Sequence, residues 1–456
     1  MKEKIDYGKM ILDELKSGGA DHAAVTVYEG SSKYFKIFDN QVDSAVEINS
    51  SGASIFTVKD KRVMFTNIER LEEQPIKAAV ADALARAQML SQKDYYFGLA
   101  EGPFKYGKAP GNDDKIIGRD YDVEDLTSGM INAALANGAE KVHGMFNVNY
   151  GKTRLLTTGN VDVQEEGTSA KCSIRVFTQS NTSAQNAQVS RKLSGIDFEQ
   201  LGKETASLAR MSSNRGSIEN GTYDLIYMPI AAGNLLSIYG SFATIGSVEA
   251  GLSSLVGKLG KKVANPSISI YDDATISDGI QSYVFDDEGT PSQRTTIVKD
   301  GILKTYLHNA STAKKYKTKS TGNAGLLAPS TSTPVFEHKK KYPSIEPLIR
   351  DTRKGILITN VWYTRFSNYL TGAFSTMPRD VAFYIEDGEI RFAINMGMKG
   401  SASTGIRIND DFQRMLENTT ATAGTAVQAK GWDASTAVVT PSLFVKDVKV
   451  TAASFK

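Results

Sequence analysis

Apolar residues set a helical rhythm near the middle of the chain. After Ala231, the residues Ala232, Leu235, Leu236, Tyr239 and Phe242 recur at spacings of three and four, which is one face of a helix turned toward a core. Just before it, Asp224-Leu225-Ile226-Tyr227-Met228 predicts a strand that Pro229 closes. Near the N-terminus, Tyr7, Ile11 and Leu15 predict a helix over 6–17 that ends at Gly18-Gly19. Strands are predicted at 24–28, 33–38, 42–48, 53–59 and 63–65, followed by an alanine-rich helix at 74–90. Similar elements recur one unit later: a helix at 123–136, strands at 142–149, 153–158, 161–166 and 171–178, and a helix at 198–211. Gly159-Asn160 stands where Asp39-Asn40 stood, as expected of an internal duplication.

These patterns predict an α+β fold. A duplicated helix–β-sheet–helix N-terminal region (1–215, with units 1–100 and 120–212) precedes a mostly antiparallel, β-rich C-terminal domain (216–456). The linker from Gly102-Pro103 to Asp114 is expected on the surface. In the second part, Asp300-Gly301 and Asp387-Gly388 are hairpin turns, and Gly355 to Tyr363 reads as a buried β-branched strand ending in two aromatics. Trp362 and Tyr363 are interface or cleft candidates, since each joins an apolar body to a polar tip. Thr419 to Ala429 reads as a mobile loop, and Pro441 to Thr451 as a strand.

Composition narrows the class. Of 456 residues, 41% are hydrophobic and 23% charged, which is ordinary for a globular protein with room for two or three domains. A formal net charge of +2 gives no global attraction to nucleic acid. The one cysteine, Cys172, excludes an intrachain disulfide and a thiolate-rich metal site, and its alternating neighbourhood makes it a buried strand thiol. With Glu3 and Asp6 the first residues do not read as a signal peptide, and no run of about 18 apolar residues would span a bilayer. The expected location is cytoplasmic.

Candidate chemistry is sparse. Asp286-Asp287-Glu288-Gly289 gathers three carboxylates but lacks the alternate spacing of a calcium loop, so a tight turn with Gly289 left-handed is expected. His22, His143, His308 and His338 lie too far apart in sequence for a local chelate; His308 is read as structural, at the end of a strand over 303–307. The stretch Gly251 to Gly257-Lys258 has one residue too many for a phosphate loop, and Ser311-x-x-Lys314 lacks the companion motifs of an acyl-enzyme hydrolase. The basic loop 314–319 (Lys314, Lys315, Lys317 and Lys319 around Tyr316) and Lys339 to Lys341 are the strongest nucleic-acid signal; solvated loops, or a rim for acidic peptides, is the preferred reading.

The strand and helix over 224–242, Asp286 to Pro291, Asp300-Gly301-x-Leu303, Thr321-Gly322-Asn323-Ala324, Thr371-Gly372-x-Phe374-Ser375, Ile385 to Glu389 and Pro441-Ser442-Leu443-x-Val445 resemble, in order, the TldD/PmbA family of cytoplasmic metallopeptidases. The resemblance implies that the catalytic branch carries His-Glu-x-x-x-His on this helix, with two imidazoles and a general base at one zinc ion. Aligned on Ala232 to Leu236, those positions here are Ser237, Ile238 and Phe242. None can hold zinc or deprotonate its water, and residues 230–245 contain neither His nor Glu. The catalytic branch also uses a cysteine near its C-terminus, whereas 411–456 has none. The chain therefore resembles the metal-free branch named for PmbA or TldE, with no catalytic, cofactor or metal residue of its own. By that resemblance, zinc is expected in a TldD-like paralogue, the two forming a heterodimer that trims unfolded or modified-precursor peptides. A homodimer in isolation stays open. So do two alternatives: a peptidase in its own right, through a site unseen in the sequence, and a binding protein that modulates DNA gyrase.

Overall fold

The computed structural model describes residues 5–395 and 405–452; Glu3 lies outside them. The N-terminal part opens with α1 (Tyr7–Ser17), whose first turn is capped by the Asp6 side chain accepting from the Lys9 N–H. Strands β1 (His22–Phe38), β2 (Gln41–Lys59) and β3 (Arg62–Ile68) follow, then α2 (Glu73–Met89) and a short α3 (Asp114–Gly118). The order then recurs as α4 (Val123–Ala136), β4 (Lys141–Thr157), β5 (Val161–Phe177), β6 (Ser183–Ser190) and α5 (Phe198–Met211). Both sets of strands enter one antiparallel sheet in the order β3-β2-β1-β4-β5-β6. The turns at Asp39-Asn40 and Asn160 do carry positive φ, as a tight hairpin requires.

Four pairs of expected short strands are in fact four long ones. Polar and Gly/Ser-rich stretches such as Gly30-Ser31-Ser32 read as turns, but β1 pairs across them on both sides, Gly30 standing opposite Ser50 and Gly151. A Cβ at Gly30 would lie 2.8 Å from the Tyr150 carbonyl oxygen, so glycine here permits a close approach of strands and marks no break. Strand β6, of sequence SAQNAQVS, was not expected, because it holds one β-branched residue.

The C-terminal part contains β7 (Arg215–Gly216), β8 (Gly221–Tyr227), α6 (Pro229–Phe242), α7 (Ile245–Glu249), β9 (Ile268–Asp273), β10 (Arg294–Lys299), β11 (Ile302–Leu303), α8 (Ala310–Tyr316), β12 (Pro334–His338), β13 (Lys341–Tyr342) and α9 (Ile345–Arg350). It continues with β14 (Lys354–Ile358), β15 (Val361–Asn368), β16 (Ala373–Pro378), β17 (Ala382–Glu386), β18 (Glu389–Ile394), β19 (Ile406–Asp411), α10 (Phe412–Glu417), β20 (Thr419–Ala429) and β21 (Val438–Ala452). These strands form one large sheet, mainly antiparallel, so the molecule is α+β with a β-rich second half.

Pro229 does follow the end of β8, and it also opens α6 at its first position, where a missing N–H costs nothing. Several expectations in this half are corrected. Thr419 to Ala429 is no loop: its threonines favour extended backbone, and β20 pairs with β21 and β13. The run 355–363 breaks after Ile358, because the Asn360 side chain accepts from the Val361 N–H and diverts the backbone between β14 and β15. The strand over 303–307 shrinks to β11. The loop at 314–319 begins inside α8, which an Asn309–Thr312 capping box starts. Asp300-Gly301 and Asp387-Gly388 are positive-φ turns joining β10 to β11 and β17 to β18, as expected.

Helix α6 is apolar nearly all round, and such a helix must be enclosed. It lies on the sheet against β8, β12, β15, β20 and β21. Alternation in β8 sends Leu225 and Tyr227 toward the α6 core, while Ile226 joins the core on the opposite face. In β21, Leu443 and Val445 divide from Phe444 in the same way. Gly240 is required by packing, since a Cβ there would meet the Pro334 ring at 2.7 Å.

Candidate functional site

The helix on which the resemblance places a zinc site is lined with groups that cannot bind one. Ser237 is fully buried, and its hydroxyl donates back to the Asn234 carbonyl at 3.0 Å. Ile238 packs against the α6 core. Phe242 is 4% exposed and meets the rings of Phe366, Phe412 and Tyr369, with centroids 5.3, 5.4 and 6.3 Å away. Edge-on and tilted ring contacts fill this end of the helix, so the residues present do not fit a zinc ion. Among the described residues, no three His, Cys, Asp or Glu side chains converge as a metal site would need.

The acidic turn is a latch between loops. Asp286 accepts the N–H groups of Glu288, Thr290 and Ala324, and Gly289 is left-handed with φ +84°. Glu288 accepts the Ala310 N–H where α8 begins, at 2.9 Å. Asp272 accepts from the Ser332 N–H and hydroxyl and from the Asn323 amide. Burial pushes these carboxyls up, Asp272 to about 6, Asp286 to about 7 and Glu288 to about 8, against the pull of their donors. The family-like Thr321-Gly322-Asn323-Ala324 segment thus acts as backbone and amide partner to buried acids.

The histidines stand apart. His22 meets Tyr96 edge-on, and His143 lies between Phe38 and Phe177. His308 is buried beside Thr312 and Tyr316, and burial lowers its pKa; His338 is held by the Lys340 backbone. The Cys172 thiol is buried and pushed up to about 12, far from a reactive thiolate. Ser311 accepts the Phe97 N–H and Lys314 pairs with Glu101 at 2.9 Å, so this Ser–Lys pair docks an N-terminal segment on α8. Lys315 pairs with Glu249 and Lys339 with Asp300, leaving less free positive charge than the sequence suggests. Trp362 and Trp432 bracket the Arg379 guanidinium at 4.5 and 4.7 Å, and Tyr363 is half-exposed.

One groove has the shape of a binding site. A cavity of about 650 Å³ runs between β6 (Gln185 to Ser190), the start of α6 (Met228 to Ile230) and β20 (Ala426 to Ala429). Strand β6 is the last strand of its sheet, bonded only to β5. Its Ala187 N–H is taken by the Asn186 side chain at 2.9 Å, so at this residue the backbone faces the groove and not the ladder. The sequence offered no sign of this groove beyond the strand–helix junction at Pro229, because β6 has no strand-like pattern.

Residues 220–452 match the family model described as the PmbA/TldA metallopeptidase C-terminal domain. The chain belongs to the PmbA/TldD metallopeptidase family. An uncharacterized protein of Methanocaldococcus jannaschii is 28% identical over 386 residues, covering 82% of this chain and 88% of that protein. Metalloprotease PmbA of Escherichia coli O157:H7 is 27% identical over 401 residues, covering 84% and 85%. The crystal structure of TldE from Thermococcus kodakarensis superposes with a TM-score of 0.84 at 20% identity, over 98% of this chain and all of that one (100%). The fold of that structure is thus shared over nearly the whole of this chain. No helix among the described residues is long and apolar enough to cross a membrane.

Proposed function

We propose that this chain is the metal-free subunit of a PmbA/TldD-type protease. It pairs in the cytoplasm with a zinc-bearing TldD-like paralogue as a heterodimer, and takes part in proteolysis of unfolded or modified-precursor peptides. The observation that carries the reading is α6, where a hydroxyl bonded to its own helix, an alkyl group and a buried ring stand at the family's ligand positions. The helix keeps its packing role, and the partner's zinc and glutamate supply the chemistry. This chain supplies wall and track: an extended peptide adds to the β6 edge, taking main-chain hydrogen bonds from it while the groove receives alternate side chains.

The test is zinc content and peptide hydrolysis, measured on the purified chain, on the paralogue, and on their mixture. The expected result is no stoichiometric zinc and no hydrolysis from this chain alone, with chelator-sensitive hydrolysis from the co-purified pair. Chelator-sensitive hydrolysis by the lone chain overturns the proposal.

A further inference from the structure

Beside the groove, and sharing Gln185, Asn186, Ala187 and Ile230 with it, lies a smaller pocket of about 280 Å³. Its wall brings together Lys171 from β5 and Lys430 from the segment after β20, with Asn360 and Trp432 at its rim. Each lysine is partly buried, and neither makes an ion pair or hydrogen bond with the described residues. Two ammonium groups in one small pocket repel each other and lose hydration, and a bound anion relieves both costs. Burial, and then the Lys430 charge, hold the Lys171 pKa below the ordinary lysine range; burial does the same for Lys430.

The neutral groups present the same polarity. The Asn360 carbonyl oxygen already accepts from the Asn234 amide and the Val361 N–H. The Asn186 carbonyl oxygen accepts from the Ala187 N–H. Both amides therefore keep their NH₂ groups as donors, while Gln185 is engaged at both ends by Arg175 and Ser173. Of the carboxylates near this face, Asp380 is held by Arg175 and Asp433 accepts the Tyr363 N–H, while Arg379 is held between two indoles. A pocket of donors suits a ligand of acceptors only.

We propose that this pocket binds a carboxylate of the peptide lying in the β6 groove, either the C-terminal carboxylate or an acidic side chain. The assignment rests on the peptide reading of that groove. It makes Lys171 and Lys430 specificity residues for acidic or C-terminal segments.

The test starts with a probe too small to need the groove. N-acetylalanine and N-acetylalaninamide are titrated into the full-length chain, followed by tryptophan fluorescence at fixed ionic strength. The acid is expected to bind about tenfold more tightly than the amide, and Lys171→Met/Lys430→Met is expected to erase that preference. Equal response to acid and amide, or a preference that survives the double substitution, overturns the proposal. A neutral ten-residue peptide is then compared as free acid, as amide, and as amide with one internal glutamate. Tighter free acid assigns the terminus to the pocket, and tighter glutamate assigns a side chain. If the small acid is preferred but none of the peptides binds, the pocket stands and the groove reading falls; if all three peptides bind equally, the pocket falls and the groove stands.

Discussion

Glu288 ties together the acid turn and α8, and its protonation sets a pH dependence of a definite sign. Burial lifts its folded pKa to about 8, whereas an unfolded glutamate titrates near about 4.3. Between these values the folded chain holds a proton that the unfolded chain has released. Stability from this group is full below the lower value and declines as pH rises toward the upper one, at up to about 1.4 kcal/mol per pH unit. Asp286 and Asp272 act in the same sense up to about 7 and about 6. Urea unfolding at pH 5, 6, 7 and 8 should show falling stability, and Glu288→Gln, which keeps an oxygen for the Ala310 N–H, should flatten the slope. An unchanged slope would remove the role assigned to this carboxyl. At Phe242 the prediction concerns packing: Phe242→Ala opens a void among Phe366, Tyr369 and Phe412 and should cost about 3–5 kcal/mol in urea unfolding.

Elements that follow one strong local rule were legible in the sequence; those built by their neighbours were not. Helix α6 was readable because its apolar spacing persists for three turns, and the Asp-Gly hairpins because their turns demand positive φ. Strand β6 was not, since its polar sequence becomes a strand only through pairing with β5, and β20 was mistaken for a loop because its small residues hide its threonines. That Ser237, Ile238 and Phe242 stand where zinc ligands are expected was read through the family resemblance alone. The lysine pocket was not, because positions 171, 186, 360 and 430 meet only in the folded sheet arrangement. Two elements give direct tests. Asn309→Ala removes the side-chain half of the α8 capping box, leaving the residue-309 N–H on Thr312, and should cost about 1 kcal/mol, with faster hydrogen exchange over 310–316. Ala187→Pro removes an edge N–H that only Asn186 uses, outside the β5–β6 ladder, and sets a proline ring against an incoming strand, so the melting temperature should hold while binding of a neutral extended peptide is lost. Peptide binding that survives Ala187→Pro would place the peptide elsewhere.

At the scale of the whole molecule, the two halves meet at several places, among them the stretch 277–285, which leaves the C-terminal sheet after β9 and lies against the N-terminal sheet. The Gly111 N–H donates to the Ser277 carbonyl, Lys192 pairs with Asp278, and Glu165 accepts the Val284 N–H. Arg191 is buried and directs its donors to the carbonyls of Gly279, Ser282 and Glu166 and to the Asn112 side chain. One apolar cluster also contains residues of both halves, among them Phe146 and Cys172 with Ile226 and Phe444. Such a joint makes independent unfolding of the halves unfavourable, because opening it strands buried carbonyls on one side and a buried guanidinium on the other. Calorimetry of the intact chain should therefore show a single transition. Arg191→Met keeps the apolar bulk but leaves the Gly279 and Ser282 carbonyls without their donor, costing about 3 kcal/mol. The loss falls on the joint and not on either core, so the variant's transition should broaden or split into two, and limited proteolysis should begin within 277–285. The β6 groove is bounded on one side by Asp278 of this same stretch and by Ile276 just before it, so peptide affinity should fall in the variant at temperatures where both cores remain folded. A variant that melts in one sharp transition at the wild-type temperature would show that Arg191 does not hold the halves together.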